Sequence, residues 1–201
     1  RSFSPGGIPT SDVAGYYRRR AEGGVGLIVT EGTVVERPAA RNDAKVPVFH
    51  GEALPEWKKV VEEVHAAGGL IAPQLWHVGS ARGQGEDWTP LGRVDSPSGL
   101  TSPGKRGLEP MSDEDIADTI AAFGASARAT RELGFDAVEI HGAHGYLIDQ
   151  FFWSGLNDRA DKWGGGSIAD RARFGAEVVK AVRERVGEGM ALILRLSQWK
   201  S

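Results

Sequence analysis

The sequence contains no cysteine and no long hydrophobic run. The absence of cysteine among its 201 residues excludes disulfides, thiolate metal ligands and a cysteine nucleophile from this stretch of chain. No segment approaches the roughly 20 apolar residues of a membrane-spanning helix, and the first residues lack the apolar stretch of a signal peptide. We therefore expect a cytoplasmic protein that does not enter a membrane.

The charge balance gives no basis for binding a polyanion. The formal net charge is −3, with 40% hydrophobic and 25% charged residues, close to an ordinary soluble domain. Nucleic acid is therefore not an expected partner, and the oligomeric state is left open, with a homo-oligomer as one option. The 28 glycines are dispersed, a pattern typical of folds with many short turns between strands and helices.

Hydrophobic periodicity predicts four helices and four strands in alternation. The predicted helices cover residues 12–22, 55–67, 112–134 and 168–186, and the predicted strands cover residues 25–30, 70–75, 136–141 and 191–196. Pro73 is expected near the C-terminal end of its strand, because proline cannot donate to a sheet ladder. Short turns lead from each helix to the next strand, and this order requires a parallel sheet with right-handed crossovers.

Two architectures fit this order, an open doubly wound sheet and a closed eight-stranded barrel. No Gly-x-Gly-x-x-Gly follows the first strand, which weighs against a dinucleotide-binding doubly wound sheet. We therefore predict a TIM (β/α)8 barrel in which residues 1–201 form one partial domain of about four strand–helix units. Such a barrel needs about 250 residues, so its first strand and its C-terminal strands are expected outside this sequence. Residues 79–111 lack periodicity and are predicted to form an excursion, an active-site loop.

Two histidines and a tyrosine follow the third predicted strand. His141, His144 and Tyr146 stand in the run His-Gly-Ala-His-Gly-Tyr, where the glycines permit tight turning. Two imidazole N–H groups that face one oxygen can stabilise the negative charge that develops there, and a nearby tyrosine can donate a proton to carbon. The alternatives are a metal site, as in a barrel hydrolase that would use His77 with the other two histidines, and histidines that only satisfy backbone groups.

Four ordered segments of the chain resemble the old yellow enzyme family of FMN-dependent ene-reductases. The central segment is Gly134–Phe152, and Gly23–Thr33, Gln74–Gly79 and Leu194–Ser197 flank it along the chain. The match is specific because the four segments lie on successive predicted strands in the family's order. The resemblance implies that FMN lies across the C-terminal mouth of a β/α barrel. It also implies that hydride passes from NADH or NADPH, through the flavin, to an electron-poor α,β-unsaturated alkene.

The resemblance assigns the catalytic residues. It implies that His141 and His144 bind the carbonyl oxygen of the alkene, and that Tyr146 gives a proton to the α-carbon while hydride reaches the β-carbon. No metal is implied. An alternative from another class is a non-catalytic barrel that keeps this signature without the flavin.

The resemblance also places three residues beside the flavin. Gln74 carries a side-chain amide that can pair with the donor–acceptor edge of the pyrimidine ring. Arg195 is implied to lie near the N1–C2 carbonyl region of the flavin, and Gly32 is implied to let the backbone approach the ring. Because an unpaired charge in an apolar strand is costly, the alternative for Arg195 is a structural ion pair with Glu139 or Glu31.

Four further residues are interpreted as structural. Arg159, Asp161 and Arg171 follow the histidine cluster in a charged, glycine-rich segment, and we interpret them as a salt-linked framework that holds the loop. His77 receives no functional role and is expected to be a loop or rim residue.

Overall fold

The computed structural model describes residues 2–81 and 93–198 of the chain. Its helices are α1 (Ser11–Glu22), α2 (Ala53–Ala66), α3 (Asp113–Leu133), α4 (Leu147–Phe152), α5 (Ile168–Arg171) and α6 (Arg173–Val186). Its strands are β1 (Leu27–Val34), β2 (Leu70–Trp76), β3 (Leu100–Ser102), β4 (Lys105–Arg106), β5 (Ala137–Gly142) and β6 (Ala191–Leu196).

The main sheet consists of four parallel strands that follow one another in chain order. The order is β1-β2-β5-β6, and each neighbouring pair is parallel. This order lacks the reversal at the centre of a doubly wound sheet. Helix α1 packs against α2, α2 against α3, and α3 against α6, so the helices form one continuous layer, as in the wall of a β/α barrel. The predicted alternation of helices and parallel strands is confirmed.

Helix α3 shows how closely local sequence signals set the helix ends. The N–H of Asp115 donates to Ser112 Oγ at 3.1 Å, and the N–H of Ser112 donates to the Asp115 carboxylate at 2.8 Å, which together form a capping box. The helix ends at Gly134 with φ +84°, a conformation that glycine adopts without steric cost. Both predicted ends of this helix are confirmed.

Pro73 lies in the middle of β2, so its predicted place near the strand end is wrong. Val29 pairs with Ala72, whereas Gly32 pairs with Gln74. Strand β1 therefore has one residue more than β2 at this point, which is a β-bulge. Because Pro73 stands at the bulge, where the ladder is already interrupted, its missing N–H is tolerated.

Two helical segments differ from the prediction. The helix predicted over residues 168–186 divides at Ala172 into α5 and α6. Helix α5 has a capping box of its own, formed by Ser167 and Asp170. The short α4, which begins directly after Tyr146, was not predicted because six residues are too few to show a helical period.

The described part of residues 79–111 contains a small antiparallel hairpin, β3–β4. Residues 82–92 of this predicted loop lie outside the described residues. Arg159 connects the segment to the loop after α4, because its Nη1 donates to the carbonyls of Pro97 and Met111 at 2.6 Å each. The Arg159 guanidinium also binds Asp161 at 3.0 Å through Nε. These contacts are those of the framework that the sequence predicts.

The hydrophobic core lies between the sheet and the helix layer. Fully buried side chains come from both sides, among them Ile71 and Ile140 from the sheet and Trp57, Phe123 and Phe174 from the helices.

Arg171 holds the loop between α4 and α5, because it donates to the carbonyls of Phe152 and Gly165 at 2.9 and 2.8 Å.

Within residues 2–81 and 93–198, no helix combines the length and apolar character needed to cross a membrane.

Candidate active site

The C-terminal ends of the parallel strands bring the predicted site residues to one edge of the sheet. Gln74 of β2 pairs in register with Glu139 of β5, and His141 of β5 pairs with Arg195 of β6. Residues two apart on a strand point to the same face, so Glu139 and His141 share a face. The side chains of Gln74 and Arg195 both reach Glu139, which places all four side chains on that face.

His144 and Gly145 are the central residues of a tight turn. The N–H of Tyr146 donates to the Ala143 carbonyl at 3.2 Å, and the two central φ angles are +60° and +74°, the signs of a type I′ turn. A left-handed φ costs a residue with a side chain about 1 kcal/mol. The backbone strain at His144 therefore coincides with the predicted site, as is common at functional positions.

The rings of the three predicted catalytic residues lie next to one another. The ring centroids of His141 and His144 are 5.0 Å apart, and those of His141 and Tyr146 are 5.2 Å apart. Trp76 meets Tyr146 edge-on at 5.0 Å. Such edge-to-face pairs each contribute about 1 kcal/mol beyond the area that they bury. The sequence pattern had not singled out Trp76.

The hydrogen bonding of His141 determines which ring nitrogen carries the proton. The N–H of Ala143 donates to His141 Nδ1 at 3.3 Å, so Nδ1 is the acceptor nitrogen and the ring N–H lies at Nε2. His141 is buried, whereas His144 is exposed. The backbone N–H of His144 donates to Ser197 Oγ at 2.9 Å, which ties the turn to the segment after β6. The buried His141 therefore offers an N–H donor of defined tautomer.

The backbone of Gln74 is held by two threonines of β1. Its N–H donates to Thr30 Oγ1 at 3.0 Å, and its carbonyl accepts from Thr33 Oγ1 at 2.9 Å. At the bulge these hydroxyls satisfy backbone groups that would otherwise need main-chain partners. The side-chain Nε2 of Gln74 donates to Glu139 Oε1 at 2.5 Å, so both the backbone and the amide of Gln74 are fixed.

Arg195 forms the ion pair that is the alternative to its predicted flavin contact, and the flavin contact stays a prediction. Its Nε lies 3.6 Å from Glu139 Oε1, and 49% of its side chain is exposed. Of the two carboxylates considered, Glu139 is the partner, while Glu31 accepts from the backbone N–H of Ser2 at 3.0 Å.

The packing of Trp76 against Gly32 explains why this position has no side chain, without a contribution from a ligand. A Cβ at this position would lie 3.1 to 3.3 Å from the ring and Cβ of Trp76, which is closer than most real contacts of this kind. The absence of a side chain at Gly32 therefore gives Trp76 its space. A role for Gly32 beside a flavin stays a prediction.

His77 lies in a loop, as expected, but it is buried rather than at a rim. The N–H of Gly79 donates to His77 Nδ1 at 3.0 Å, so Nε2–H donates to Asp95, also at 3.0 Å. Arg37 contacts both oxygens of that carboxylate at 3.1 Å. Burial by itself raises the pKa of Asp95, but the His77 hydrogen bond and the Arg37 charge outweigh it, so this pKa lies below its ordinary 3.8.

The metal-site alternative finds no support in this geometry. In the part of the chain that the structure describes, no three or more His, Asp or Glu side chains are grouped so as to hold a metal ion. His77 is engaged with Asp95, while His141 and His144 face each other at the end of β5.

Several residues that support the site were missed at the level of sequence. Thr30 and Thr33 are polar residues inside an otherwise apolar strand, and both are buried. Buried polar groups need partners, so a polar residue within a predicted buried strand is the signal that could have found them. Asp149 and Gln150 of α4 are buried as well, but the short helix that carries them gave no signal of its own.

Comparison with known proteins identifies relatives along the whole chain. The 12-oxophytodienoate reductase 7 of Oryza sativa subsp. japonica is 40% identical over an alignment of 195 residues, which covers 90% of this chain and 49% of that protein. The solved old yellow enzyme from Pichia sp. AKU4542 superposes with a TM-score of 0.85 at 33% identity, over 98% of this chain and 53% of that one. Morphinone reductase in complex with tetrahydroNAD gives 0.83 at 34%, over 98% and 57%.

These relatives settle the architecture. The solved structures are TIM barrels, so the prediction of a barrel over a doubly wound sheet is confirmed, and the four parallel strands are part of such a barrel. The chain spans about half the length of the relatives that it matches. The model of the NADH:flavin oxidoreductase / NADH oxidase family matches residues 1–201, and the chain therefore belongs to this family, as its resemblance to old yellow enzyme implies.

Proposed function

We propose that the full-length protein is an FMN-dependent oxidoreductase that transfers hydride from NADH or NADPH, through the flavin, to an electron-poor α,β-unsaturated alkene. The observation that carries this proposal is the cluster of His141, His144 and Tyr146 at the C-terminal edge of the sheet. Ligands of β/α barrels bind at that edge. Family membership supports the flavin, and the complex of morphinone reductase with tetrahydroNAD supports a nicotinamide reductant.

The donor chemistry of this edge fits FMN. The amide of Gln74 offers a carbonyl oxygen and an N–H group, which suit the alternating donors and acceptors of a flavin pyrimidine ring. Arg195 would place a positive charge beside the ring, where it would stabilise the anionic reduced form. Gly32 would allow the backbone to approach. When bound, FMN supplies the hydride that reaches the β-carbon of the alkene.

The histidine pair would hold the substrate. Nε2–H of His141 and the ring of His144 would donate to the carbonyl oxygen, on which negative charge develops as the alkene is reduced. By analogy with oxyanion holes, each donor contributes about 3 kcal/mol to the transition state. Tyr146 would hold the proton that is added to the α-carbon, so the product gains one hydride and one proton across the former double bond.

The visible absorption spectrum of the purified full-length protein, followed by addition of a para-substituted phenol, tests the proposal. A flavin band that gains a broad long-wavelength charge-transfer band on phenol addition would support both the cofactor and the paired-histidine anion site. A protein that stays colourless with added FMN would contradict it and favour a non-catalytic barrel.

The cytoplasmic location and a homo-oligomeric state stay predictions, which cell fractionation and light scattering would test.

A further inference from the structure

Gln150 of α4 connects the His144–Gly145 turn to the loop after β2. Its side chain is fully buried, and Nε2 donates to the Gly145 carbonyl at 2.6 Å and to the Val78 carbonyl at 3.3 Å. Its Oε1 accepts the N–H of Ser80 at 3.1 Å. One amide thus uses both of its donors and one acceptor position to join two loops. We refer to these three hydrogen bonds as the Gln150 clamp.

The peptide groups of Gly145 are held from both sides. Asp149 Oδ2 accepts the N–H of Gly145 at 2.9 Å, and the clamp holds its carbonyl. His144 and Tyr146 flank Gly145 directly, so a rotation of this glycine's backbone would move both rings. Because the φ of His144 is strained, the turn would relax to another conformation if either restraint were lost.

The clamp also sets the turn relative to β2. The loop that it grips begins directly after Trp76, which packs edge-on against Tyr146, and β2 carries Gln74, the predicted flavin ligand. The N–H of Leu147 donates to the His77 carbonyl at 3.1 Å and joins the same two parts of the chain. The distance between the proton donor and the predicted flavin position therefore depends on these cross-loop bonds.

We propose that Gln150 is a positioning residue for alkene reduction, which acts by fixing the turn that carries His144 and Tyr146 against the loop after β2. The inference rests on the function proposed above. Its physical basis is that a displacement of about 1 Å of a reacting group can cost on the order of a hundredfold in rate. Gln150 itself does not touch the substrate or the flavin in this proposal.

The first test compares Gln150→Met with Asn157→Leu in the full-length holoprotein. Asn157 is a matched control because it is a buried amide that donates to two carbonyls, those of Phe151 and Trp163, at 2.8 and 2.9 Å. It does not contact the turn. We expect both substitutions to lower the unfolding temperature, since each leaves buried carbonyls without a donor.

Only Gln150→Met is expected to change the chemistry. Flavin reoxidation by an alkene should slow by about ten- to a hundredfold, with a larger solvent isotope effect on that step, because proton transfer from Tyr146 becomes more limiting. The phenol charge-transfer complex should weaken, while flavin content is retained. Equal losses in the Gln150 and Asn157 variants, in proportion to their loss of stability, would show a structural role only and overturn the inference.

Gly79→Ala gives an independent test if Gln150→Met does not fold. A Cβ at Gly79 would lie 2.7 Å from Gln150 Nε2 and 2.8 Å from its Cδ, so it must displace the amide. Gly68→Ala is the control for backbone strain, because Gly68 has a similar φ of +78° and a Cβ added there would meet nothing within 4 Å. The inference predicts that Gly79→Ala slows alkene reduction and that Gly68→Ala does not.

The outcomes separate the two proposals. A wild-type holoprotein that fails to reduce any activated alkene would refute the proposed function and this inference with it. A wild-type holoprotein that reduces alkenes, with unchanged rates in both Gln150→Met and Gly79→Ala, would overturn the inference alone.

Discussion

Gln74 donates its side-chain amide to Glu139 across the β2–β5 pair, with 2.5 Å between Nε2 and Oε1. The same carboxylate oxygen lies 3.6 Å from Nε of Arg195. One buried carboxylate thus orients both polar side chains that are predicted to contact the flavin. At metal sites, the loss of a side chain that orients a ligating group in this way costs about 10- to 100-fold in affinity.

Replacing Glu139 should therefore weaken FMN binding. Glu139→Leu removes the acceptor for Gln74 and the partner of Arg195, and we expect the FMN dissociation constant to rise about tenfold, as for the loss of one positioning hydrogen bond. Glu139→Gln keeps an acceptor for Gln74 and should have a smaller effect. Quenching of FMN fluorescence on titration with the apoprotein measures both. An unchanged affinity in Glu139→Leu would show that Glu139 does not orient the flavin ligands.

Two substitutions of His144 should differ in their effect on stability but not in their effect on phenol binding. Its φ of +60° suits glycine better than alanine, so His144→Gly should be more stable than His144→Ala by about 1 kcal/mol. Both substitutions remove the imidazole and should weaken phenol binding equally. Chemical denaturation and phenol titration check the two expectations. Equal stability of the two variants would mean that the turn changes conformation when the ring is removed.

Tyr146→Phe should separate the two half-reactions. Loss of the proton donor should slow flavin reoxidation by an alkene by about a hundredfold or more, while flavin reduction by the nicotinamide, which requires no proton at the alkene α-carbon, should continue at its original rate. Stopped-flow absorbance of the flavin follows each step. Parallel losses in both steps would contradict the assignment of Tyr146 as proton donor.

The carboxyl of Asp95 should contribute to the acid stability of the fold. Its folded pKa lies below its ordinary 3.8, so its stabilising effect is complete above that value and is lost as the pH falls through the folded pKa. Asp95→Ala should lower the free energy of unfolding at pH 7 by about 3 to 5 kcal/mol, because it leaves Arg37 and His77 without their shared buried partner.

The difference between wild type and Asp95→Ala should shrink below about pH 4. Thermal unfolding measured from pH 7 to pH 3 follows this trend. Asp12→Ala is a suitable control, since Asp12 is an exposed residue in the first turn of α1. A difference that stays constant with pH would mean that the carboxylate charge does not stabilise the fold.

Local signals in the sequence predicted most of the regular structure. Ser112 with Asp115 and the left-handed Gly134 set the ends of α3 through bonds between residues only a few positions apart. The strand at Ala191–Leu196 was predicted to the residue, because a short apolar run bounded by turn residues is typical of a buried strand. The three ring residues at the end of β5 were singled out by their spacing after a strand and by a family motif, and the structure brings their rings together, while their catalytic role stays a prediction.

The contacts between distant segments could not be predicted in the same way. His77 and Asp95 are 18 positions apart, and no periodicity links a loop histidine to a carboxylate in another loop. The bulge opposite Pro73 arises from the pairing of two strands, so it is invisible in either strand alone. Gln150 resembles any helical glutamine in sequence, and only the folded chain shows that it joins two loops.

The bulge in β1 has a consequence for how the gene can change. Strand β1 has one residue more than β2 between Val29 and Gly32, so deleting a single codon there would remove the bulge and force the two strands into a regular one-to-one ladder. It would also set Pro73 against a partner that needs its missing N–H. The extra residue of β1 and the proline of β2 therefore depend on each other, and a one-residue deletion in β1 should be tolerated only together with a replacement of Pro73.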